Sequence, residues 1–166
     1  PMIISAGMAS IAELDETVRT IRDAGCEDFV LLKCTSTYPA TPENSNVLTI
    51  PHMRKLFNCE VGLSDHTMGI GASVAAVAHG ATVIEKHFTL DKEMEGPDQK
   101  LSADPKEFSE LMETIILGLQ KVLYTNNRVY LASNPATALW EMAIKNSVKK
   151  GILHAVNGAF SNKWAT

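Results

Sequence analysis

The sequence has 166 residues, 45% apolar and 20% charged, which fits one ordinary globular domain and excludes a low-complexity or fibrous chain. A net charge of −4 and a pI near 5.7 argue against a nucleic-acid partner, and no apolar run is long enough to suggest a membrane partner. Three cysteines (Cys26, Cys34 and Cys59), odd in number and outside any CxxC pattern, support neither a zinc knuckle nor a disulfide frame, so a reducing cytoplasm is the expected setting.

The opening residues lack the basic start and apolar core of a signal peptide and read as a strand over 2–5. Gly7 follows, then a helix over 10–24. Ser10 with Glu13 three residues on makes a capping box, Ile11, Leu14, Val18 and Ile21 recur at helical spacing, and Gly25 is the stop. A second strand is expected over 28–33. A polar loop with Pro39 and Pro42 leads to a helix over 50–57. A short third strand over 60–64 precedes an alanine- and valine-rich helix over 71–79, suited to close packing on a sheet. The fourth strand is expected over 81–87. After a loop to about 103, Asp104 caps a helix opened by Pro105, with Phe108, Leu111, Met112, Ile115 and Leu119 as its apolar stripe. Apolar strands alternating with amphipathic helices imply a parallel sheet covered by helices. The alternation alone leaves an open doubly wound sheet and part of a barrel equally possible, since a closed barrel takes eight units.

In parallel α/β folds ligands sit at the carboxyl ends of the strands. Those ends carry Ser5, then Cys34-Thr35-Ser36-Thr37-Tyr38, then Ser64-Asp65-His66-Thr67, then Glu85-Lys86-His87, with Asp98 further on. Strand neighbours lie about 4.8 Å apart, so His66 and His87 can reach one point, and two imidazoles suit a divalent transition metal. Glu85 and His87 share strand parity while Lys86 points away, which lets Glu85 orient a ligand or a metal-bound water. A lone histidine would more simply be a loop hydrogen-bonder. The pair, flanked by carboxylates, favours function. The hydroxyls of Ser5, Thr35, Ser36 and Ser64 could hold a phosphate or carboxylate, or could equally serve turns and caps. Tyr38 can be read as a loop anchor. His52, His79 and His154 read as structural or solvated, and Met53, Met68 and Met112 as core filler.

Residues 3–8 (IISAGM), 31–39 (LLKCTSTYP), 62–67 (GLSDHT) and 84–91 (IEKHFTLD), with Gly96-Pro97-Asp98 and Leu101-Ser102, together resemble the N-acetylneuraminate (sialic acid) synthase family, nearest its pseudaminic acid synthase branch. The resemblance runs in order through residues 1–123. It implies a (β/α)8 TIM-type barrel of which this chain supplies the C-terminal half, strands five to eight. It also implies condensation of phosphoenolpyruvate with an N-acetylated amino-sugar aldehyde to a nine-carbon 2-keto sugar acid. His66 and His87 would hold a divalent metal, Mn2+ first and Mg2+ or Co2+ otherwise, with Glu85 beside it. Ser5, Ser36 and Ser64 would line the phosphoenolpyruvate site, and Tyr38 and Asp98 the sugar. Synthases of the family often carry asparagine at the place of Ser36. The family's phosphoenolpyruvate-gripping lysines and an acidic residue come from its first four strands, and its antifreeze-like C-terminal domain completes the site across the dimer. The resemblance therefore implies a site completed by a homo-oligomer or by a complementary N-terminal half-barrel.

The half-barrel is expected to span 1–125 and a foreign βαβ-like tail 126–166. Residues 133–141 (SNPATALWE) and 156–164 (VNGAFSNKW) resemble an early stretch of the class V aminotransferases. There the Ala136-Thr137 turn would open a helix that binds the phosphate of pyridoxal phosphate. With no lysine placed for a Schiff base, no transaminase activity is expected. The competing functional class is an inactive half-barrel that serves as an assembly or binding module.

Overall fold

The computed structural model describes residues 2–122, and the tail expected over 126–166 lies outside them. Four βα units follow one another: β1 (Met2–Ser5), α1 (Ile11–Asp23), β2 (Phe29–Cys34), α2 (Thr49–Phe57), β3 (Glu60–Asp65), α3 (Gly71–Ala78), β4 (Ile84–Lys86) and α4 (Pro105–Val122). The strands form one parallel sheet in the order β1-β2-β3-β4, with no reversal of direction along the sheet. A doubly wound sheet reverses its strand order at a switch point and places helices on both faces. Here the order is sequential, and the helices bury one face only.

That face is the core. Leu31, Val61 and Leu63 pack there with Leu14, Val18 and Ile21 of α1, Ile50, Met53 and Phe57 of α2 and Ala76 of α3. Alternate strand residues point the other way, so Val30, Leu32, Cys34, Gly62, Ser64 and Glu85 occupy the opposite, inward face. Apolar burial at about 25 cal/mol per Å² makes the helix-covered face the main source of stability.

Local signals account for the helix ends. Ser10 Oγ accepts the Glu13 backbone N–H at 3.3 Å and Glu13 Oε2 accepts the Ser10 N–H at 2.8 Å, the full reciprocal box. Asp104 and Glu107 make a second one, with Glu107 N donating to Asp104 Oδ1 at 2.8 Å and Asp104 N to Glu107 Oε2 at 3.2 Å. The regular part of β4 begins at Ile84 rather than 81. Thr82 N and Leu63 N already cross-bond with Val61 O and Val83 O, so the chain joins the sheet before its ladder becomes regular. Met53 is core, as expected, but Met68 is exposed, because it sits in the turn between β3 and α3. The α4 stripe is only partly covered: Leu111 is buried and Phe108 exposed beside a cleft it shares with Ile84 and Phe88. No helix among the described residues is long and apolar enough to cross a membrane.

Candidate active site

The two histidines follow directly on β3 and β4, and their rings come together. The His66 and His87 centroids are 5.4 Å apart with planes 58° from parallel. His66 is buried, and its Nδ1 lies 3.0 Å from the carbonyl oxygen of Thr35. A carbonyl only accepts, so Nδ1 carries a proton, and it is the Nε2 lone pair that the neutral ring can offer a ligand. Tyr38 closes the group. Its ring lies over His66 at 4.1 Å and meets His87 edge-on at 6.0 Å.

Tyr38 is held there by the long β2–α2 loop. The Tyr38–Pro39 peptide is cis, and Ala40 N donates to His66 O at 2.9 Å, so the loop pairs with the extension of β3. Thr35 anchors the start of the loop, its hydroxyl accepting from the Lys33 ammonium and donating to Asn44 O at 3.1 Å. Thr35 is thereby committed to structure rather than to a ligand. Burial pushes the Lys33 ammonium below its ordinary value, against a weaker opposing effect of Cys34.

Ser64 and Glu85 are partners in the β3–β4 register, and buried Ser64 donates from Oγ to Glu85 Oε1 at 2.7 Å. They line a cleft of about 310 Å³ with His66, His87 and Lys86. Asp98 reaches in from the β4–α4 loop, its Oδ2 3.8 Å from His87 Nδ1. Ser102 donates to Asp98 O from both N–H and Oγ, and Ala103 N donates to His87 O at 2.8 Å, which pins that loop along the end of β4. Tyr38, His66, His87, Asp98 and the Ser64–Glu85 pair therefore converge. Ser5 ends β1 and Ser36 follows β2, further along the same rim of the sheet, with Ser36 Oγ 3.7 Å from Cys34 Sγ.

Sequence reasoning missed the layer beneath. Asp65 and Lys86, the residues just before the two histidines, form a buried ion pair at 3.1 Å. Opposite charges at matching places on adjacent strands were the available signal.

Among the described residues no three or more His, Cys, Asp or Glu side chains converge at metal-binding distance. The two imidazoles do fit a divalent ion as a partial donor set. His66 presents Nε2 as an acceptor with its other nitrogen tied to a carbonyl, the usual arrangement behind a ligating histidine.

The NeuB family model matches residues 1–123. The pseudaminic acid synthase of Campylobacter jejuni is 46% identical over 115 residues, covering 69% of this chain and 34% of that protein. An uncharacterized protein of Methanocaldococcus jannaschii, MJ1065, is 46% identical over 154 residues, 91% of this chain and 45% of its own length, and so aligns with part of the 126–166 segment too. Among solved structures, the N-acetylneuraminic acid synthetase of Leptospira borgpetersenii superposes with a TM-score of 0.68 at 32% identity, over 88% of this chain and 49% of that one. The chain thus spans a third to a half of the length of these relatives. Sequential parallel strands with helices on one face, matched to that synthetase, are half of a TIM-type (β/α)8 barrel. The chain belongs to the NeuB family.

Proposed function

We propose that this chain carries the metal-binding half of a site that condenses phosphoenolpyruvate with an N-acetylated amino-sugar aldehyde. The products are a nine-carbon 2-keto sugar acid and, with water consumed, free phosphate. One observation carries the reading: two imidazoles meet at 5.4 Å over the carboxyl ends of adjacent strands, and His66 has its Nδ1 engaged and Nε2 open. Two relatives named as pseudaminic acid synthase and N-acetylneuraminic acid synthetase support the substrate class.

His66 and His87 would hold the divalent ion, Mn2+ first and Mg2+ or Co2+ otherwise. Such an ion supplies Lewis-acid polarisation of an aldehyde oxygen. Glu85, fixed by the Ser64 hydroxyl, faces the same cleft and orients a water or ligand group there. Ser5 and Ser36 offer hydroxyls to the phosphate and carboxylate of phosphoenolpyruvate, Ser64 lines the same site with its hydroxyl donated to Glu85, and Tyr38 and Asp98 border the sugar. The remaining groups come from a complementary half-barrel or a second copy of the chain. The reading places the chain in the cytoplasm.

The second reading, a half-barrel acting as an assembly module, is favoured by the rim of β1. Among the described residues β1 pairs only with β2, and Ile3 on it is 62% exposed.

Calorimetric titration of the chain with Mn2+, beside the His66→Ala/His87→Ala double variant, tests the first reading. Saturable binding lost in the variant is the expected result. A folded parent that binds no Mn2+ favours the assembly module.

A further inference from the structure

We infer that Lys86 and Asp65 are positioning residues that lock His66 and His87 into one shared orientation. The inference deepens the proposed metal site and rests on that reading for its functional meaning.

The geometry is specific. Lys86 Nζ donates to Asp65 Oδ2 at 3.1 Å and to the carbonyl oxygen of Thr67 at 2.6 Å. It thus grips the chain on both sides of His66, at the residue before it and the residue after it. Asp65 Oδ1 accepts from the N–H and the hydroxyl of Thr67, each at 2.8 Å, and Oδ2 accepts from Ser73 Oγ of α3 at 2.6 Å. The Asp65 and Lys86 side chains are 1% and 6% exposed, and the carboxylate is satisfied on both oxygens.

Such a device is needed because the ladder it closes is short. β3 and β4 share only the rungs Leu63↔Ile84, Ser64↔Glu85 and Asp65↔Lys86, and both histidines lie beyond the last. A slip of one residue would turn the His87 ring away from the cleft and the Lys86 ammonium, now buried against Asp65, toward it. An ion pair buried at the final rung forbids that slip, since the slip would strand a charge away from water. Strand parity does the rest: Asp65 and Lys86 occupy the helix-covered face, which sends the following residues to the cleft. Desolvation makes a buried ion pair a weak source of net stability. Orientation is the gain that explains it here.

The test uses the full chain with 15N-labelled histidine. Long-range 1H–15N spectra report which His66 nitrogen carries the proton, and a cross-ring NOE reports the His66–His87 contact. Lys86→Met alone strands Asp65 and is expected to unfold. The paired Asp65→Asn/Lys86→Met variant removes both charges at similar volume and decides the question. It should fold, lose the cross-ring NOE and show a mixed His66 tautomer, with Mn2+ affinity down about 10- to 100-fold. Val18→Ala, a destabilising change in α1, should leave both ring signatures intact. A paired variant that keeps the parent tautomer and NOE overturns the inference. The clamp is judged by the ring signals alone, so a parent chain that shows them but binds no Mn2+ overturns only the metal reading.

Discussion

The Tyr38 ring lies over the imidazole of His66, centroids 4.1 Å apart and planes 30° from parallel. Tyr38 is itself 55% exposed, so it roofs the histidine and is not part of the core. Aromatic pairs contribute about 0.5–1.5 kcal/mol beyond area burial, and the exposure of this one puts it at the low end. Tyr38→Phe should therefore leave the urea midpoint of the chain unchanged. Tyr38→Ala should lower stability by about 0.5 kcal/mol and expose His66 to solvent exchange. Equal midpoints for all three proteins would show that the stack contributes nothing to folding.

How much of this was legible beforehand depended on the range of each interaction. The Ser10–Glu13 box was readable because both partners sit within one helical turn. Glu85 and His87 on one side with Lys86 on the other followed from the two-residue period of a strand. The partner of Lys86 was signalled only by opposite charges at matching places on neighbouring strands; Asp65 is 21 positions away, and the β3–β4 register is what pairs them. The partner of His66 was hidden for another reason: it is the backbone carbonyl of Thr35, and a peptide oxygen leaves no mark in residue type. The choice between barrel and open sheet likewise needed the observed strand order, since both begin from the same alternation of elements.

The Ser10 cap predicts an acid-side effect. Backbone and side-chain hydrogen bonds from Ser10 hold the Glu13 carboxyl below its ordinary 4.5. A carboxylate lowered in the folded state adds stability above its unfolded value, and that stability is lost as pH falls through the folded value. The advantage of the parent over Ser10→Ala in thermal melts should accordingly shrink below about pH 4.5. A difference that stays constant down to full protonation would separate the cap from the Glu13 charge.

Lys33 makes the opposite prediction at alkaline pH. Burial depresses its ammonium below the ordinary 10.5, so in the window below 10.5 the unfolded chain binds more protons than the folded one. Folding stability then rises with pH across that window, as the cost of a buried charge disappears. Replacing Lys33 with methionine removes the titration, so urea midpoints of the parent should climb relative to Lys33→Met as pH approaches 10.5. A parent that gains nothing over the variant would mean that the Thr35 hydroxyl fully offsets the burial.

Gly62 fixes how closely β4 can approach β3. A Cβ added there would run into the carbonyl oxygen of Val83 and lie 2.7 Å from Leu32 Cδ2 and 2.9 Å from Val83 Cβ. The first of these atoms is backbone and accepts the Leu63 N–H at 2.9 Å, on the stretch that leads to Glu85 and His87. Overpacking costs about 1–3 kcal/mol, and Gly62→Ala should fall at the upper end because the clash cannot be relieved by a rotamer change. Chemical denaturation measures the loss. Adding Leu32→Ala tests where the strain resides. That second change clears the side-chain contact but leaves the carbonyl in place, so the double variant should be no more stable than Gly62→Ala alone. Recovery in the double variant would assign the constraint to Leu32 and leave the spacing of β3 and β4 to other contacts.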